Sequence, residues 1–256
     1  MICVSRVNGQ SVLRNFCPRE THYVGHGGSG SAWPYEVWDN GDLAAGIQRY
    51  FVVVRVVDGS GRPSSKQIMY IDAKKKREPE NRIADADSYI DSLFPAVNYS
   101  TSDYVRVVRV GTTRMHTMLY WDLTDISAGT GIEEATIYLW CREKTVGADI
   151  GAFKILVEWI NGEVTYNVRE TGVAWGTPGG EEGTDFCDTA EDWVSVGSKD
   201  AWYGWDVTDA IQEMIDDPGA VRGFFVRNPG YNVQVEFDSI ETATSAHKPY
   251  LHLVFA

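Results

Sequence analysis

Six acids crowd one stretch of this 256-residue chain: Glu181, Glu182, Asp185, Asp188, Glu191 and Asp192. Two carboxylates facing each other across a cleft would support hydrolysis of a glycan. Carboxylate and carbonyl oxygens from such a Gly-rich loop also suit Ca²⁺. Acids clustered in a flexible loop read first as solvated surface, and no EF-hand spacing is present. A second Ca²⁺ candidate is Asp85 or Asp87 with Asp238 or Glu241, because the opening and closing strands of a sandwich lie close together. His22-x-x-x-His26 has the helical spacing of a metal pair, but Gly25, Gly27 and Gly28 argue for a loop there. No Gly-x-Ser-x-Gly elbow, Cys/His pair or phosphate-binding glycine loop is identifiable. The reading is non-enzymatic, with structural Ca²⁺ as the one candidate cofactor.

Aromatic side chains offer a different chemistry, since a flat ring buries well against the apolar face of a sugar. Trp140, Trp159, Trp175, Trp193 and Trp202 are the candidates. Tyr138 and Trp140 share the face of their strand opposite Leu139, and two large exposed aromatics are costly. That face is therefore expected to pack under the long 160–200 loops. Trp175 and Trp193, set in Gly-rich surroundings, are the expected ligand contacts.

Strands must position these groups. Trp121-Asp122-Leu123-Thr124-Asp125 and Trp205-Asp206-Val207-Thr208-Asp209 repeat one pattern 84 positions apart. Each ends an alternating stretch, the signature of a half-buried strand, followed by residues that start turns and cap helices. Strands are expected near 87–91, 104–110, 115–123, 132–144, 150–159, 201–207, 221–228, 233–238 and 249–255, with one short helix at 208–216. Such a run of short strands is an antiparallel β-sandwich or jelly roll. Before it, Arg49 to Val57 is rich in β-branched residues, and Asp58-Gly59-Ser60-Gly61 turns it toward a second strand at 67–71. The expected domains are a basic arm with this β-hairpin over 1–84, with a linker at 74–82, and a sandwich over 85–256.

Charge separates the two parts. Residues 1–84 carry a net +4 and residues 85–256 a net −17. Phosphate contact needs positive charge, so the acidic part is not expected to bind nucleic acid. No run of about 18 apolar residues exists, so no helix is expected to span a membrane. The first 30 residues lack an apolar segment, so no secretory signal peptide is read there. Cys3 and Cys17 have the spacing for a disulfide only in an oxidising compartment. Cys141 lies on an inward face with Ile137 and Leu139, as a buried free thiol does. Asn98-Tyr99-Ser100 is a formal glycosylation sequon.

Several segments in family order resemble the DNRLRE-type domain, also called the disaggregatase-related repeat. They are Asp87-Ser88-Tyr89-Ile90-Asp91 with Pro95-x-x-Asn98-Tyr99, Leu119 to Leu123, Ile132 to Leu139, Val164-Thr165-Tyr166-Asn167 and Trp175-x-x-Pro178-Gly179-Gly180 with Asp185. Trp205 to Asp209, Gly223-Phe224, Phe237-Asp238-Ser239 and Pro249-Tyr250-Leu251 complete the set. The resemblance covers nearly all of 85–256 and none of 1–84. It implies a jelly roll, a non-catalytic role, and kinship with carbohydrate-binding modules of polysaccharide-degrading enzymes. Ile240 stands where that family usually places Arg.

Together these features suggest a non-catalytic component of a virus or phage particle, made in the host cytoplasm. The basic arm would dock on other virion proteins, the sandwich would project outward, and the protein would form a homo-oligomer. The alternative is an extracellular module that binds polysaccharide through 85–256.

Overall fold

The computed structural model describes residues 77–230 and 232–256 in full and, within residues 1–76, the backbone of six strands. The chain divides into two units, 1–77 and 78–256.

In the first unit β1 (Cys3–Val7) and β2 (Gln10–Arg14) form a hairpin. β3 (His22–Gly25), β4 (Ala32–Asp42), β5 (Ile47–Val57) and β6 (Pro63–Lys74) form an antiparallel sheet in chain order. The expected hairpin is β5 with β6, and it is half of a four-stranded sheet rather than a lone arm. A single hairpin is marginal, and two more strands supply the pairing it lacks. Cys17, His26 and the Gly27–Ser31 tract lie outside the described residues.

The second unit begins earlier than the sequence suggested. β7 (Glu80–Ile83), expected as linker, is an edge strand paired with the last strand of the chain. There follow β8 (Ala86–Asp91), β9 (Tyr104–Val110), β10 (Thr113–Tyr120), β11 (Ile132–Val146) and β12 (Asp149–Lys154). Short strands β13 (Val168–Glu170), β14 (Val173–Ala174) and β15 (Asp192–Ser195) lie in the long excursion. β16 (Ala201–Asp206), helix α1 (Thr208–Asp216), β17 (Phe224–Arg227), β18 (Val233–Asp238) and β19 (Tyr250–Phe255) complete it.

Eleven of these strands form one antiparallel sheet that curls into a β-sandwich. One layer runs β15-β12-β17-β10, with β8 on the other edge of β10. The other runs β7-β19-β11, with β16 on the other edge of β11. β9 and β18 pair with each other and join the layers. Alternation decides which side chains enter: Ala135, Ile137, Leu139 and Cys141 of β11 are fully buried, while Tyr138 and Trp140 between them are half-buried on the outer face.

The two Trp-Asp copies perform one structural task twice. Trp121 and Trp205 are fully buried, and their indole N–H groups donate to Arg82 O at 2.9 Å and Ile150 O at 2.7 Å. The Asp after each Trp then folds the chain over. Asp122 Oδ1 accepts from Thr124 N and Oγ1, and Asp206 Oδ1 from Thr208 N and Oγ1. The second copy opens α1, which buries Ala210, Ile211, Met214 and Ile215 against the core, matching the expected amphipathic turn.

The two outer faces differ. Residues 155–190 fold back over the β12-β17-β10-β8 layer, where Val164, Trp175 and Phe186 meet Ile90, Met118, Phe153 and Phe225 in a second core. Gly223 lets the chain enter β17 close against β10, because at φ +117° its missing Cβ would lie 2.4 Å from Leu119 O.

Candidate functional site

The indole N–H separates structural tryptophans from available ones. Trp121, Trp159, Trp175 and Trp205 each donate to a backbone carbonyl at 2.7–2.9 Å. Trp140, Trp193 and Trp202 have no such partner among the described residues. A buried indole N–H must be satisfied, so an unbonded one marks a ring whose edge reaches solvent.

Trp140 and Trp202 lie opposite each other on β11 and β16, on the outer face of the β7-β19-β11-β16 layer. Their rings meet edge to face, with centroids 5.5 Å apart and planes at 72°. Tyr138 pairs across β19 with Tyr250, their rings within 18° of parallel and 5.0 Å apart. That separation exceeds direct face-to-face contact, so the rings are offset and each leaves part of a face open. Trp202 reaches Tyr250 at 5.1 Å, and His247, in the turn before β19, lies flat on Trp140 at 4.1 Å and 15°. Rings from three strands and one turn thus form a continuous half-buried platform. Gly204, opposite Tyr138 on β16, gives it a floor: a Cβ there would lie 2.8 Å from the Tyr138 ring.

Polar groups fix the rim. Asp238, 5% exposed, accepts from His247 Nδ1 at 3.1 Å, which assigns the proton to Nδ1 because a carboxylate only accepts. Asp238 Oδ1 also lies 3.5 Å from Arg142 Nε, and Arg142 Nη1 donates to Asp103 Oδ2 at 3.0 Å. Burial, then the neighbouring Tyr138, push the Tyr250 hydroxyl upward, so it stays a neutral donor at physiological pH.

The expected contact residues fare differently. Trp175 is 4% exposed in the second core, with its N–H on Thr165 O, so its faces are not open to a ligand. Its Gly-rich neighbours are turns that bring it inward. Trp193 is 48% exposed on the edge strand β15 and stands edge-on to Phe153, on the covered side of the sandwich. Tyr138 and Trp140, expected to pack under the 160–200 loops, do not; their ring partners are Tyr250, Trp202 and His247. Strand alternation pointed to these two rings. Trp202 is among the candidate tryptophans, and the signal that could have found Gly204 and Tyr250 is the same alternation in Trp202-x-Gly204 and Tyr250-x-His252. No alternation marks His247, which lies in the turn before β19.

The proposed Ca²⁺ residues do not converge as one group. Asp87, 1% exposed, faces Glu241, and its Oδ2 accepts from Ile240 N at 2.7 Å. Burial first, with Glu241 adding, raises the Asp87 carboxyl to about 8, so the pair holds a proton at neutral pH. Asp85 instead accepts from Asp122 N, and Asp238 holds His247. In the acidic stretch, Asp185 is buried and accepts from Gly176 N and Glu181 N, and Asp192 accepts from Asp206 N. Among the described residues no three His, Cys, Asp or Glu side chains are grouped to hold a metal.

A cavity of about 320 Å³ lies elsewhere, between α1 and residues 120–128. Its walls include Leu123, Ile126, Met214 and Ile215 on the apolar side and Tyr120, Thr124, Ser127 and Arg222 on the polar side.

The model of carbohydrate-binding module family 96 matches residues 78–255. The chain belongs to this family. The match begins at the first residue of the second unit and spans all of it but the last, with β7 inside it. It agrees with the carbohydrate-binding side of the resemblance read from the sequence and does not bear on the narrower DNRLRE label. No curated protein matches the chain.

Proposed function

We propose that residues 78–255 bind a polysaccharide on the outer face of the β7-β19-β11-β16 layer, through Tyr138, Trp140, Trp202, Tyr250 and His247. The observation that carries this reading is the gathering of five rings, two of them indoles with unbonded N–H groups, on a face that the 155–190 excursion leaves open. An isolated exposed aromatic needs no explanation, whereas a contiguous cluster marks a binding surface. The role is non-catalytic: in the acidic stretch Asp185 and Asp192 hold backbone N–H groups and Glu191 pairs with Lys154.

Family membership favours this reading over the particle component suggested by the absent export signal, the lone module and the basic first third. Docking to virion proteins through 1–84 and a homo-oligomeric assembly have no observation of their own in support. The test is affinity electrophoresis of the full chain through gels containing single polysaccharides. At least one polymer should retard it, and Trp140→Ala with Trp202→Ala should restore free mobility while the melting curve stays cooperative. Retardation unchanged in that double variant would place binding elsewhere.

A further inference from the structure

The layer opposite the ring platform carries a second arrangement of chemical groups. β9 and β17 share one edge of β10 in succession: β9 pairs at Thr113, Arg114 and Met115, and β17 at Thr117, Met118 and Leu119. The two pairing blocks part at His116, so the sheet splits there. Val108 and Val226, the paired residues nearest the split, point into the main core. Alternation then turns their neighbours Arg109 and Arg227 to the outer face, on the same side as His116.

This pairing of cations is unexpected in a segment of net charge −17. Arg227 is partly exposed, and its guanidinium lies over the ring of Phe186 at 4.5 Å and that of Phe153 at 5.6 Å. Its Nε is buried without a hydrogen-bond partner, and no carboxylate forms an ion pair with Arg227 among the described residues. Glu182, exposed on the excursion, acts on its charge only from a distance. His116, 5% exposed, has an Nδ1 without a partner. Burial, then the charges of Arg227 and Arg109, hold His116 down at about 3, so its ring is neutral and able to donate one N–H. The hydroxyl of Tyr166, reaching in from the excursion, feels both arginines. The Tyr166 ring is backed by Gly179, where a Cβ would lie 2.7 Å from it.

Guanidinium groups stay charged even when burial disfavours them. Two of them in a partly desolvated crevice repel each other and lose hydration, a cost that an anion between them offsets. The shape of that anion follows from where the donors stand. One guanidinium fork satisfies a flat carboxylate by itself. Here the donors come from three elements, β9, β17 and the excursion, an arrangement that suits oxygens pointing in several directions.

We propose that Arg227, Arg109 and Tyr166 form, at the split beside His116, a site for a tetrahedral oxyanion. The anion is sulfate or phosphate, either free or as an ester on a polysaccharide. The site stands on the opposite layer from the ring platform and does not depend on it.

The test is calorimetric titration of the full chain with sodium sulfate, sodium phosphate and sodium acetate, at ionic strength held near roughly 0.15 M with NaCl. One tetrahedral anion should bind per chain, at least about tenfold more tightly than acetate. Arg227→Gln and Arg109→Gln should each weaken it at least about tenfold, and Trp140→Ala should leave it unchanged. Melting curves show that each variant folds; if Arg227→Gln does not, Arg109→Gln and Tyr166→Phe carry the comparison. No heat from either tetrahedral anion would overturn the proposal. Acetate bound as tightly would overturn the tetrahedral class, and binding that survives in the arginine variants would place the anion elsewhere. Gels of dextran sulfate and dextran distinguish the sources. Retardation by dextran sulfate alone, lost in Arg227→Gln, supports the site with an ester as its ligand. Free mobility in dextran sulfate, with sulfate binding intact, supports the site with the free ion as its ligand. Failure of the polysaccharide reading would instead appear at Trp140 and Trp202, which this site does not use.

Discussion

Two outer faces of one sandwich meet aromatic residues in opposite ways. On the β12-β17-β10-β8 layer the excursion from 155 to 190 covers the aromatic rings and makes a second core. On the β7-β19-β11-β16 layer comparable rings stay half-buried and lean on one another. Composition does not distinguish the two, since both carry Trp and other aromatic side chains. What differs is whether polar edges are satisfied inside. Trp175 donates to a backbone carbonyl; Trp140 and Trp202 keep their donors. A covered ring contributes to stability, and an open one is available for binding.

That contrast predicts a hierarchy of effects. Trp175→Ala removes a buried ring that touches Phe225, and should cost about 3–5 kcal/mol in chemical denaturation. The protein that remains folded should bind as before. Loss of binding by that folded fraction would show that the covered face serves the ligand too. Trp140→Ala should reverse the pattern. Affinity should fall at least about tenfold, roughly 1.4 kcal/mol, with a smaller stability loss than that of Trp175→Ala. Isothermal titration beside a denaturation curve separates the two quantities.

A pH series sharpens the comparison from both sides. His116, on the covered layer, is pushed down to about 3 by burial and then by the charges of Arg227 and Arg109. A group held neutral in the fold contributes stability above its ordinary value near 6.5, and that contribution is lost as pH falls toward 3. Asp87 has the opposite sign. Its carboxyl, raised to about 8, binds a proton more tightly folded than unfolded. Stability from this group is full below about pH 4 and declines as pH rises toward 8. Asp87→Asn should flatten the alkaline limb while leaving the acid limb in place, read as melting temperature against pH. An unchanged alkaline limb would mean that another group carries it.

The smallest effect is expected at Trp193. It is half exposed on an edge strand, so Trp193→Ala should change stability by no more than about 0.5–1 kcal/mol and leave platform binding unchanged. A drop in affinity matching that of Trp140→Ala would move the candidate site to the β15 edge.

Much of this fold was legible in the residues. Period-two alternation placed every long strand of the sandwich, and the apolar spacing after Trp205 placed α1 at its observed bounds. The Trp-Asp repeats read correctly as buried strand ends because each Trp alternates with polar neighbours. The site was legible only in part. Alternation assigns Tyr138 and Trp140 to one face but does not say what lies across from them. Their partners Trp202, Gly204, Tyr250 and His247 come from segments 60 or more positions away, joined by strand pairing that local sequence does not encode. Trp175 misled for a related reason: turn-forming glycines mark bends, and a bend can carry a ring into a core as readily as out of it. β7 was missed because four residues, Glu80 to Ile83, alternate too briefly to stand out from a charged segment.

The pairing of β7 with β19 also governs how this module would carry mechanical load. The strands are antiparallel, with Glu80 opposite Leu253 and Ile83 opposite Tyr250. The chain therefore enters and leaves the sandwich at the same end of one strand pair. Tension between residues 80 and 255 would not shear that pair as a block but would peel it, rung after rung, from Glu80 inward. The Trp121 indole, bonded to Arg82 O, and the Arg82–Asp125 ion pair fasten the inner end of β7. The last rung to open holds Tyr250, so a pull strong enough to free β7 would reach the aromatic platform only at its final step.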